Sequence, residues 1–166
     1  MSASTKQQLA AALKDERART TKVLDAYPAS ASELKPHPTS QAAREIVHTL
    51  CVEAVIGTAA LDGSLDMTKR MSFPPPPPTW NEVVKAFHGA YDKLFAVLEA
   101  TPDEELAKST KFMVGPKQIG DVPKGDLVRF MLNDHIHHRG QLSVYLRMSG
   151  SKVPSIYGPS KDEPWS

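Results

Sequence analysis

Leu127, Met131, Asp134, His138, Gln141 and Tyr145 recur at alternating intervals of four and three residues, and only a helix gathers such a row onto one face. The row begins apolar, so its helix must press that face against other elements. It then carries a carboxylate and an imidazole into the same seam. Asp134 and His138 stand one turn apart, at i and i+4, within the run Asn133-Asp134-His135-Ile136-His137-His138-Arg139-Gly140-Gln141-Leu142. A charge brought into a packed seam needs a partner, and for an Asp–His pair a bound cation is the simplest one. Plain solvation or hydrogen bonding is the competing account. The crowding of ionisable side chains at 134, 135, 137 and 138 brings the metal reading level with it.

Three further segments carry the helical period. From about residue 4 to 27, Leu9, Leu13, Thr20, Val23, Leu24 and Tyr27 form an inward stripe, and Pro28 stops the helix. A second helix is expected from a cap at Thr39 or Ser40 to about Leu61, where Asp62-Gly63 ends it. A long connection closes in Pro74 to Pro78, an extended stiff spacer. Thr79-Trp80-Asn81-Glu82 then reads as a capping box for a third helix with the stripe Val84, Phe87, Tyr91, Leu94, Phe95 and Leu98. Punctuation by Pro and Gly between Pro102 and Gly125 predicts a short helix over 103–108 followed by irregular or short extended structure. The fourth long helix opens at Gly125-Asp126 and ends at Ser149-Gly150. Beyond it lies an irregular, proline-broken tail whose Val153, Ile156, Tyr157 and Trp165 suit packing over the body. The expectation is one all-α domain over 1–166, a four-helix bundle with long crossover connections, in which metal sites are assembled from facing helices.

Composition closes off several roles. A formal net charge of +1 with dispersed basic residues offers no footprint for nucleic acid. Nothing approaches the apolar length of a membrane span, and the N-terminal stretch lacks a signal-peptide core, so a cytoplasmic location is expected. Cys51 is the single cysteine, which excludes an intramolecular disulfide and fits a small buried hydrophobe better than a nucleophile.

One helix covers only part of a coordination sphere, so a mononuclear site on the last helix needs a donor from a neighbour. His48 is the best candidate, because it lines up with Val52, Val55 and Ala59 on the second helix. A core histidine satisfied by a carbonyl is the alternative. His37, in a proline-flanked loop, and His88, beside the third stripe, are weaker, and Glu45, one turn from His48, suits orienting a histidine or capping better than base catalysis.

The run His137-His138-Arg139-Gly140-Gln141-Leu142-Ser143-Val144-Tyr145-Leu146-Arg147, followed by Lys152-Val153-Pro154-Ser155-Ile156-Tyr157-Gly158-Pro159-Ser160 and preceded by a His within the second helix, resembles the DinB/YfiT-like family of metal-dependent enzymes. The resemblance implies a four-helix bundle, often a homodimer, with a divalent metal held by a His of the second helix and an i, i+4 pair on the last. On this chain those positions are His48, Asp134 and His138. The family more often has His where Asp134 stands. An Asp there makes the site harder and leaves nickel, zinc, iron or manganese as possible metals. His135 shares a face with His138 and is the reserve ligand. His137, Arg139 and Gln141 are candidates for supporting the ligands or orienting a substrate, with a surface salt bridge the simpler account of Arg139. The resemblance further implies either a transferase or isomerase that uses a low-molecular-weight thiol or a hydrolase that uses water, acting on a small molecule. A non-catalytic, stress-related bundle that binds a ligand or protein, with its metal structural or absent, is the alternative.

Overall fold

The computed structural model describes residues 3–67, 69 and 72–165. Helix α1 spans Thr5–Ala26, α2 Ala43–Asp62, α3 Trp80–Ala100 and α4 Lys124–Met148, and a hairpin of β1 (Ser109–Gly115) and β2 (Gln118–Pro123) precedes α4. The fold is mostly helical, as the four stripes require. Ser4 caps α1, where its hydroxyl accepts from the Gln7 amide and the Gln7 side chain accepts from its own. Thr79 and Glu82 form the predicted box at the start of α3. Helix α2 begins later than a cap at Thr39 or Ser40 would place it. The Glu45 carboxylate accepts from the Ala42 amide at 2.6 Å, which satisfies the helix start from inside the first turn.

Around the ring α2 packs on α3 and α4, and α1 packs on α4 and α3. Tyr27, just after α1, stacks on Trp80 at the start of α3 with 4.5 Å between ring centroids, while Lys6 donates to the Glu99 and Thr101 carbonyls at the other end. Helices α1 and α3 are therefore antiparallel. The Tyr145 hydroxyl donates to the Gln41 carbonyl, and the Lys124 ammonium reaches the Leu61 carbonyl, so α2 and α4 are antiparallel as well. Helices α2 and α3 run in the same direction, with Cys51 beside Val83 and Gly57 beside Leu94.

A parallel neighbour requires a connection that travels the length of the bundle, and the proline-rich segment makes that return as a crossover. Residues 72–77 have no regular secondary structure. Arg44 fastens them, donating to the carbonyls of Pro76 and Pro77 at 3.3 and 2.8 Å while its Nε donates to Glu33.

The short helix expected over 103–108 is a 3-10 turn, Asp103–Ala107, and the extended structure after it is the hairpin. Phe112 of β1 is buried with Ala60, Leu127 and Met131 in a small cluster at one end of the α2–α4 seam. The main core lies between all four helices, and Val153 and Ile156 of the tail pack against it. No helix among the described residues is long and apolar enough to cross a membrane.

Candidate metal centre

The face that α2 turns toward the bundle includes Ile46, Leu50, Glu53, Gly57 and Ala60, spaced 4-3-4-3 and all buried. Glu53 is the exception in chemistry, a carboxylate only 3% exposed. Across the seam α4 presents Asp134 and His138. One donor atom from each of the three residues lies within 4.8 Å of the other two. His138 Nε2 is 3.5 Å from Glu53 Oε1 and 3.7 Å from Asp134 Oδ1. Ligands at about 2.1 Å from one ion stand roughly 3–3.5 Å apart, so a small closure of these side chains makes a coordination sphere. The Asp134 side chain is 41% exposed, which leaves the cluster open to solvent on that side.

Neither oxygen of Glu53 has a hydrogen-bond partner of good geometry among the described residues. Burial, with the negative charge of Asp134 added to it, pushes its carboxyl up to about 9. A buried acid without a cationic partner is held neutral in this way. Two carboxylates and an imidazole form a donor set that a divalent cation would neutralise, displacing that proton. His138 is already turned for the task. Its Nδ1 donates to Gln141 Oε1 at 3.1 Å, so the lone pair of Nε2 points at the two carboxylates. The Gln141 amide in turn donates to His137 Nε2 at 3.0 Å.

The structure thus brings together Asp134 and His138, with Gln141 and His137 behind them. It places His48 outside this cluster, to which α2 contributes Glu53 as the candidate donor. The two positions are five residues apart, about 140° around the helix. The His48–Val52–Val55–Ala59 row is apolar but borders a groove against α3, where Val55 is 46% exposed, and does not face α4. Glu53 was signalled in the sequence by a lone acid in a row otherwise apolar or small.

His135 is fully buried and stands outside the cluster. Its Nε2 is 2.6 Å from the Thr20 hydroxyl and its Nδ1 2.5 Å from the Tyr91 hydroxyl. Both ring nitrogens are thereby occupied, and burial, followed by the charge on Arg139, pushes the ring down to about 3. Arg139 is also placed differently from either expectation. It is 2% exposed and pairs with the Glu16 carboxylate, while the Tyr157 hydroxyl stands 2.5 Å from its guanidinium and donates to Glu16 at 2.7 Å. Arg139 thus joins α4 to α1 and the C-terminal tail. Cys51 is buried and donates to the Val47 carbonyl at 3.3 Å, and burial pushes its thiol up to about 12.

This arrangement, a helical bundle whose second and last long helices meet at a cluster of metal-ligand type, defines a class. Residues 1–165 match the DinB family, and the chain belongs to it. A DinB-like protein of Bacillus cereus superposes with a TM-score of 0.69 at 20% identity, covering 87% of this chain and 92% of that one. The DinB-like protein YjoA of Bacillus subtilis gives 0.66 at 23%, covering 89% and 96%. At these identities the likeness is one of fold. Among curated proteins, the uncharacterized protein YrdA of Bacillus subtilis is 29% identical over 89 residues, 54% of this chain and about half, 51%, of the relative.

Proposed function

We propose that the protein is a metal-dependent enzyme acting on a small molecule, with one divalent cation held by Glu53, Asp134 and His138. The observation that carries this reading is the buried, unpartnered carboxylate of Glu53 aimed at two further donors. Bound there, the cation supplies Lewis acidity that lowers the pKa of a water or thiol brought beside it. Glu53 and Asp134 balance its charge, Gln141 fixes the tautomer of His138, and the exposed side of Asp134 admits the substrate. No fourth His, Cys or carboxylate joins the three among the described residues, which favours an open, catalytic sphere over a closed structural one. Of the two chemistries, transfer to or from a small thiol is preferred over hydrolysis, and a two-fold homodimer is the assembly proposed.

The test offers the metal-loaded protein a low-molecular-weight thiol with an electrophilic acceptor, and separately an activated ester with water alone. Turnover that a chelator abolishes and Cys51→Ala spares supports the reading. A Cys51→Ala variant that folds, keeps its metal and is inactive would move the chemistry to the protein's own thiol. Metal bound tightly with no turnover in either assay would favour the non-catalytic bundle.

A further inference from the structure

A cavity of about 280 Å³ lies between α2 and α3, on the flank of α2 turned away from α4. From α2 it is lined by His48, Val52 and Val55, and from α3 by Ala86 and Ala90. Alanines one turn apart leave room that larger side chains would fill. Phe73, Pro74 and Pro77 of the crossover form its remaining wall, and Arg44 holds that segment in place through the Pro76 and Pro77 carbonyls.

Among the described residues the lining contains no Asp, Glu, Lys or Arg. A charged occupant would therefore lose its hydration without compensation. Two polar side chains line the space, Cys51, whose thiol already donates to the Val47 carbonyl, and His48. The His48 ring makes no hydrogen bond among the described residues, and burial, then the nearby charge of Arg44, holds its pKa below the usual value, so it meets an occupant as a neutral imidazole. The volume lies near the lower edge of the roughly 300–1,000 Å³ typical of small-molecule pockets. The chain's own crossover occupies the wall across which a partner helix or strand would have to lie. Proline rings and Phe73 favour an aromatic occupant.

We propose that this cavity is a second binding site, for a small uncharged aromatic molecule bearing one hydroxyl or amide group. The polar group bonds to the His48 imidazole, and the rings lie between the valines of α2 and the prolines of the crossover. The site stands across α2 from Glu53 and shares no residue with the metal cluster.

The probes are 1-naphthol and naphthalene, titrated into the full chain and followed by calorimetry and by the methyl resonances of Val52 and Val55. The expected result is saturable 1-naphthol binding that shifts those methyls. Ala86→Leu, which fills the cavity, should weaken it at least about tenfold. His48→Leu should weaken 1-naphthol about fivefold, the worth of one hydrogen bond, and leave naphthalene unchanged. Ala90→Leu is a second block should Ala86→Leu fail to fold, with circular dichroism as the check on both. No binding up to the solubility limit overturns the proposal. So does undiminished binding to a folded blocked variant, or a 1-naphthol shift confined to Glu53, Asp134 and His138.

Discussion

Two glutamates are buried among the described residues, and they have opposite surroundings. Glu16, on α1, meets the Arg139 guanidinium and the Tyr157 hydroxyl. Its burial alone would raise the pKa, but the hydrogen bonds from Tyr157 and Arg139 and the charges of Arg139 and Arg19 outweigh burial and hold the carboxyl below its usual value. Glu53, on α2, meets another carboxylate and an imidazole and no cationic side chain among the described residues, and its pKa rises. The same residue type, buried in both places and more deeply at Glu53, is complete in one and incomplete in the other. What Glu53 lacks is positive charge, which Glu16 receives from within the chain. That difference separates a structural network from a candidate site for a cation.

The contrast can be broken first at Glu16. Arg139→Ala removes the buried guanidinium that joins Glu16 to Tyr157, leaves Glu16 with Arg19 and the Tyr157 hydroxyl, and should destabilise the fold by about 2–3 kcal/mol, measured by urea unfolding. A loss below about 1 kcal/mol would show that the network contributes little. Glu53→Gln in metal-free protein should cost almost nothing, because it removes an acid that has no partner to lose.

The pH dependence has a definite sign. A carboxyl whose folded pKa lies below its unfolded value, near 4.5 for Glu16, contributes stability above that pH and loses it as pH falls through the folded pKa. The stability gap between wild type and Glu16→Gln should therefore be full at pH 6–7 and shrink steadily with acidification below about 4.5. A gap that widened on acidification would contradict the pairing.

Smaller effects are expected around Glu53. Gln141→Ala frees the His138 ring from its one orienting hydrogen bond and should weaken metal binding by about tenfold, read by competition with a chelating dye. His48→Ala should leave metal affinity unchanged and shift stability by less than about 0.5 kcal/mol. A strong loss of metal in His48→Ala would restore the donor first expected on α2.

The sequence carried the helices because each has a periodic stripe and most have a readable end, at Pro28, Gly63 and the Thr79–Glu82 box, whereas the start of α2 has no side-chain cap to mark it. It also carried Asp134 and His138, since i, i+4 geometry on one helix needs no knowledge of its neighbours. The partner on α2 was not legible in the same way. His48 and Glu53 both lie on rows of largely apolar or small residues, and which row faces α4 depends on the parallel placement of α3, a consequence of the crossover. A histidine's chemistry made the wrong row attractive. Arg139 illustrates the same limit, because its partner Glu16 is 123 positions away and is brought there only by the ring order of the helices.

The most direct test of a cation at Glu53, Asp134 and His138 is the metal content of protein prepared without a polyhistidine tag. Wild type and the Glu53→Gln, Asp134→Asn, His138→Ala and His135→Ala variants would be equilibrated against the same limiting divalent metal. The account predicts close to one ion per chain in wild type and, provided the fold holds, in His135→Ala, with occupancy falling on the order of 100-fold in the three ligand variants. Equal metal content in wild type and Glu53→Gln would contradict it.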